Sequence, residues 1–156
     1  MNRIFRTSHL TRYDADYARW CVEQAALLRE GRLDALDREH LAEEVEDLAR
    51  REKREIEHRL TSLLMHLLKW QFQPDRRKGG WEASIRIQRK DLKKLVADNP
   101  SLADFPRQEL ADASVRARIA AEKETGIDFD RFPRTCPYDI AEYDIAEVLD
   151  DDFLPA

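Results

Sequence analysis

The chain has 156 residues, a net charge of −5, 38% charged residues and only four glycines. This length suits one domain with its own core, and the composition excludes a disordered chain and disfavours a β-sandwich. Two distant cysteines, no evident signal peptide and no apolar run long enough for a membrane span predict a reduced cytoplasmic protein. We therefore expect a single helical domain over residues 1–156.

Two helices joined by a short link are predicted over residues 13–30 and 38–72. Gly31 follows the first where a left-handed residue is needed, and Asp37 is well placed to cap the second. The short link indicates an antiparallel hairpin. The long second helix contains no Gly or Pro, and its apolar residues form one stripe: Leu41, Val45, Leu48, Ile56, Leu60, Leu63 and Leu67.

Two further helices are predicted over residues 81–97 and 106–125, ended by Asn99-Pro100 and by Gly126. The inner stripe of the fourth is mostly small: Leu110, Ala113, Ser114, Ala117 and Ala121. Residues 127–156 contain several aromatic side chains and a short helix near 140–149, which indicates a segment that docks. The pattern predicts an all-α, up-and-down bundle of about four main helices with a docked C-terminal acidic tail.

Three polar residues of the long helix are predicted to be shielded from water. Glu52 fills a gap in the apolar stripe, and Arg59 and His66 lie on its edge. We expect His66 to be hydrogen-bonded in the core and Glu52 to pair with a basic residue. A metal-dependent enzyme using His66 and Glu52 is the alternative. It needs ligands from other helices, because these two residues stand about 21 Å apart along the axis.

Glu55 and His58 have the Glu-x-x-His spacing of di-metal helical bundles. They lie away from the apolar stripe, however, and the chain has no second copy of the motif. We expect them on a solvated face, with Glu55 pairing with Arg59 four residues on. No cofactor or metal is predicted, and no catalytic residue is assigned.

Opposite charges gather in two segments of the sequence. Residues 76–94 contain two acids and eight basic residues, namely Arg76, Arg77, Lys78, Arg86, Arg89, Lys90, Lys93 and Lys94. Residues 139–156 contain seven acids and no base. The acidic tail either forms a separate solvated surface or folds back over the basic segment. Nucleic-acid binding through residues 76–94 is the less favoured alternative, because the inward stripe there suits a bundle helix.

The sequence contains no phosphate-binding loop, nucleophile elbow or zinc spacing. The favoured hypothesis is therefore a non-catalytic protein-interaction or regulatory module with no membrane partner. Apolar residues cover nearly the whole circumference of segment 63–72, which indicates burial inside the bundle or at a dimer interface. Self-association would then use Leu63, Leu64, Met65, Leu67, Leu68, Trp70 and Phe72.

Motifs spread along nearly the whole chain resemble the bacterial domain-of-unknown-function family number 29. They include Tyr13, Asp14, Asp16, Tyr17, Trp20, Gln24, the run from Leu41 through Glu46, His66, Trp70, Trp81, Gln88, Pro100, Gly126, Cys136, Tyr138 and Phe153. The resemblance implies a small all-helical protein without an established activity, so no site residues carry over. His40 stands where the family pattern has Asn, so a metal site that required His40 would not be general to the family.

Overall fold

A computed structural model of the protein describes residues 10–138 and 146–156. Its helices are α1 (Tyr17–Arg29), α2 (Arg38–Phe72), α3 (Gly79–Asp98), α4 (Phe105–Thr125) and α5 (Ala146–Leu149). Short 3-10 turns occupy Leu33–Ala35, Pro74–Arg76, Pro100–Leu102 and Phe129–Arg131. The described residues include no strand, which confirms the all-α helical bundle. Within them, no helix combines the length and the apolarity that crossing a bilayer requires.

The ends of the helices follow local capping chemistry. The first helix begins at Tyr17 rather than at residue 13, because the Asp16 side chain accepts a hydrogen bond from the Arg19 N–H at 3.0 Å and so caps α1. Gly31 and Gly126 both have left-handed φ, 70° and 71°. This conformation was predicted for Gly31, and Gly126 ends α4 as predicted. Asp37 accepts a hydrogen bond from the His40 N–H at 3.4 Å and caps α2 as predicted.

The chain divides into two compact units, Met1–Ala49 and Arg50–Ala156, and the single-domain interpretation of residues 1–156 remains a prediction. The second unit contains the apolar core. Its buried members are Ile56, Leu60, Leu63, Leu64, Met65, Leu67, Leu68, Ile85, Leu92, Leu110, Ala113, Ala117, Ala121, Phe132, Tyr138 and Val148. All five residues of the predicted small stripe of α4 are buried, so this helix packs closely, as expected.

The apolar segment 63–72 is used inside this core. Leu63, Leu64, Leu67 and Leu68 are at most 2% exposed, and Phe72 packs partly buried against the same cluster. The chain's own second unit therefore covers these residues. Of the two ways to cover this segment, burial inside the bundle is therefore the one that the structure has. Self-association through the segment stays a prediction.

The predicted apolar stripe of α2 is buried over only part of its length. Ile56, Leu60 and Leu63 are fully buried, whereas Val45 and Leu48 are 64% and 57% exposed. The first unit buries few residues, and in it the periodic apolar pattern does not coincide with a covered face. Helical periodicity identifies residues that share a face, but it does not say whether another element packs on that face.

Candidate functional site

Six polar and aromatic side chains of the first unit gather where the start of α2 meets α1 and the segment leading into it. We call this group the polar–aromatic cluster, and its members are Tyr13, Tyr17, Trp20, Asp37, His40 and Glu44. Residues 37, 40 and 44 share one side of the helix start because they are spaced by three and four. The cluster joins the two helices of the hairpin through side-chain hydrogen bonds.

The Asp37 carboxylate is the centre of one half of this cluster. Its Oδ2 accepts from Trp20 Nε1 at 3.2 Å and lies 2.8 Å from His40 Nδ1, where the imidazole N–H donates. Partial burial works to raise the pKa of Asp37, but hydrogen bonds from His40 and Trp20 outweigh it and hold the pKa below its ordinary value. The hydrogen bond to Asp37 in turn raises the pKa of His40.

The Glu44 carboxylate is the centre of the other half. The hydroxyls of Tyr13 and Tyr17 donate to its two oxygens at 2.6 and 2.7 Å. These bonds stabilise the neutral phenols and raise the pKa of each tyrosine to about 12. The Tyr13 ring also stacks on the His40 ring, with 4.2 Å between centroids. The two halves are thus one connected network.

Half of the buried residues in the described part of the first unit are polar. Among residues 10–49, only Trp20, Glu23, Gln24 and Leu27 are buried. Burial works to raise the pKa of Glu23, but hydrogen bonds from Thr11 and Arg19 outweigh it and lower the pKa. The Gln24 side-chain oxygen accepts from the Asp37 backbone N–H at 2.8 Å. Hydrogen bonds rather than a broad apolar core therefore hold this unit.

One face of α2 in the first unit is apolar and exposed. Val45 and Leu48 are 64% and 57% exposed, and the small residues Ala42 and Ala49 beside them are exposed too. We call these four residues the acidic-rimmed face. Residues 38–47 contain one base and five acids, namely Glu39, Glu43, Glu44, Glu46 and Asp47. The face therefore combines apolar contact area with a border that is negative around Val45, whereas Arg50 and Arg51 follow Ala49 at its other end.

The three residues predicted to be shielded together have separate partners. Arg59 pairs with Glu55 at 2.7 Å, as expected, and with Asp91 at 2.6 Å. Glu52 accepts a hydrogen bond from the Asn99 side chain at 3.3 Å, not from a basic residue. His66 Nδ1 lies 2.8 Å from the Ser62 carbonyl oxygen, the bond of an ordinary helix histidine. Within the described residues, no hydrogen bond or ion pair joins these three residues to one another.

Within residues 10–138 and 146–156, no three His, Cys, Asp or Glu side chains converge as a metal site requires. His58 is exposed, as expected for the solvated face of α2. The polar–aromatic cluster contains one imidazole and two carboxylates, and its side-chain hydrogen bonds include His40 to Asp37, Trp20 to Asp37 and both tyrosines to Glu44.

The described part of the acidic tail packs against the basic helix α3. Lys93 pairs with Asp151 at 3.0 Å, and Arg89 is completely buried. Arg89 donates to the backbone carbonyls of Val148 at 2.8 Å and Phe153 at 2.7 Å. The tail thus folds back over part of the basic segment, one of the two arrangements left open by the sequence. Residues 139–145 lie outside the described part of the chain.

Sequence patterns alone missed two features of this arrangement. Arg89 was counted with the other basic residues of segment 76–94, and the sequence did not predict that its side chain is buried. His40 and Glu44 contact aromatic residues of the first unit, an arrangement that the sequence did not predict. The spacing of three and four among residues 37, 40 and 44 was the sequence signal that could have predicted that they share one side of the helix.

The fold and the site together define an all-α protein with a self-contained helical core and a hydrogen-bonded hairpin that carries an exposed apolar face. The family described as "Domain of unknown function DUF29" matches residues 12–154, and the chain belongs to that family. Comparisons with curated proteins and with solved structures gave no match.

Proposed function

We propose that the protein is a non-catalytic interaction module that binds a basic amphipathic helix of another protein through the acidic-rimmed face. The observation that carries the proposal is the exposure of Val45 and Leu48 at neighbouring positions of one helix face. Large apolar residues grouped on one face, bordered by charge of one sign, are typical of docking surfaces.

The spacing of the residues on this face suits a helix as the bound element. Ala42, Val45 and Ala49 follow the spacing of three and four that meets a second helix lying alongside. Small residues on either side of Val45 allow the two backbones to approach closely. Full burial of Val45 and Leu48 would contribute roughly 1.5–3 kcal/mol each.

The charge around the face determines the chemistry of the partner. Glu39, Glu43 and Glu46 are exposed on the same turns of α2. Opposite charge steers association, whereas like charge placed across an interface costs several kcal/mol. The partner helix is therefore basic along its rim and apolar along its centre.

Site-specific photo-cross-linking in the native cells tests this proposal. A photoreactive phenylalanine analogue replaces Val45, and in a control protein it replaces Ile119 of α4, which is 55% exposed. We expect adducts from position 45 alone, on peptides that have the pattern of a basic amphipathic helix. Adding Leu48→Asp should reduce their yield about tenfold or more, because a carboxylate replaces a buried leucine.

Three outcomes would contradict the proposal. The same adducts from positions 45 and 119 would mean that contact is non-specific. Adducts on acidic peptides would reverse the charge argument. Adducts only to a second copy of the chain would mean that the face mediates self-association and does not bind another protein.

A further inference from the structure

A groove in the second unit lies between the first half of α4 and residues 134–136. Its volume is about 630 Å³, within the range of small-molecule sites. Arg107 and Asp112 line it from α4, and Arg134 and Cys136 line it from the loop. None of the features already discussed uses this groove.

The floor of the groove is apolar. Leu110, Ala111 and Val115 line it, and Val115 remains exposed although it is a large apolar residue. An inorganic ion would leave this surface wet and would gain nothing from it. The floor therefore fits a ligand with an apolar body.

The charged groups of the lining favour an anion. Two guanidinium groups, Arg107 and Arg134, and one carboxylate, Asp112, line the groove. Arg107 also pairs with Asp104 at 3.7 Å, so Arg134 is the main positive group offered to a ligand. Guanidinium groups present paired N–H donors that match the geometry of a carboxylate. A ligand with one carboxylate and a hydrocarbon body would satisfy both the charge and the floor.

Ser114 is the independent observation that points to a ligand. Its side chain lines the groove and is only 5% exposed. Among the residues that the structure describes, its hydroxyl has no hydrogen-bond partner, unlike that of Ser84, which donates to the Gly80 carbonyl at 2.9 Å. The buried side-chain atoms that lack a partner in the described residues are Arg89 Nη1 and Arg118 Nε, so the Ser114 hydroxyl is accessible from the groove. A carboxylate oxygen in the groove could accept from it.

We propose that this groove binds a small organic carboxylate, held by Arg134 and Arg107 with the Ser114 hydroxyl as a third donor and with its hydrocarbon part on the apolar floor. Binding involves no bond making or breaking. The assignment is independent of the proposed protein partner, because all of its residues lie in the second unit.

The two cysteines provide a test with an internal control. Cys136 lines the groove, whereas Cys21, also partly exposed, lies in the first unit. Full-length protein is alkylated with neutral iodoacetamide, and the rate at each thiol is followed by mass spectrometry with added hexanoate, hexanamide or inorganic phosphate. We expect hexanoate to slow alkylation of Cys136 at least about fivefold at about 10 mM, since millimolar affinity suits so small a probe. The rate at Cys21 should not change.

Two substitutions assign the protection to the named donors. Arg134→Ala should raise the hexanoate concentration for half-protection about tenfold, the effect of losing a charged hydrogen bond, and Ser114→Ala should raise it a few-fold. Arg131→Ala removes another exposed arginine nearby and should have no effect. Equal protection by hexanamide or phosphate, equal slowing at Cys21, or no protection at all would overturn the proposal. An unchanged half-protection concentration in Arg134→Ala would overturn it as well.

Discussion

Asp37 is the residue on which the hydrogen bonds of the first unit converge. Its side chain accepts from Trp20, from the His40 ring and from the His40 backbone N–H. Its own backbone N–H donates to Gln24. One ionised carboxylate therefore both caps α2 and ties that helix to α1, and this double role makes its charge state important for the unit.

The directions of the two pKa shifts define the pH range in which the Asp37–His40 pair stabilises the folded protein. The pKa of Asp37 is lowered, so its contribution is complete above about pH 3.9 and is lost as pH falls through the folded value. The pKa of His40 is raised, so its contribution is complete below about pH 6.5 and is lost as pH rises through the folded value. The pair stabilises most between roughly pH 4 and 6.5.

Replacement of Asp37 by Asn tests the cause of the histidine shift. Asn keeps the oxygen that caps α2, so the helix start is preserved. Its NH2 group replaces the charged oxygen that accepts from the His40 ring and from Trp20, so those two hydrogen bonds are lost. We expect NMR titration to give a His40 pKa above about 6.5 in the natural protein and closer to that value in Asp37→Asn. Ring signals of His66 at fixed pH serve as the control for an intact fold. Identical His40 titrations in the two proteins would refute Asp37 as the cause.

At the scale of elements, α2 is one continuous helix whose residues have very different environments. Leu63 is fully buried, whereas Leu48 is 57% exposed, although both belong to the same periodic stripe. Intrinsic helix preference is the same for the two leucines. The packing around each residue, not the helix itself, therefore sets what its side chain contributes to stability.

Two alanine substitutions on α2 measure this difference directly. Leu63→Ala should lower the free energy of unfolding by about 2–5 kcal/mol, because it leaves a cavity in the core of the second unit. Leu48→Ala should change it by less than about 0.5 kcal/mol. Urea denaturation of the two variants beside the natural protein gives both numbers. A large loss in Leu48→Ala would show that the acidic-rimmed face is covered within the free protein.

The sequence predicted elements better than it predicted environments. The bounds of α2, the glycine ends and the small stripe of α4 follow from local chemistry, and the structure has them as expected. Whether Val45 is exposed and whether Arg89 is buried depend on residues distant in the chain. Periodicity along one helix contains no information about those residues, so the candidate site emerged only from the three-dimensional arrangement.

At the scale of the whole molecule, the two units are stabilised by different interactions. The second unit has a continuous apolar core drawn from α2, α3, α4 and the tail. Among residues 10–49 of the first unit, the buried residues are Trp20, Glu23, Gln24 and Leu27, so only two of the buried side chains in this range are predominantly apolar. Apolar burial is the main favourable term in folding, and the first unit has much less of it.

The first unit should consequently open more readily than the second. In native-state hydrogen exchange, we expect amides of α1 to show an opening free energy at least about 3 kcal/mol below that of amides near Leu64 and Leu67. Leu63→Ala provides the matched perturbation, since it should lower protection in the second unit and leave that of α1 nearly unchanged. Equal protection of α1 and the core in the natural protein would contradict this expectation. It would instead favour one cooperative domain over residues 1–156, because a single folding unit opens with one global free energy.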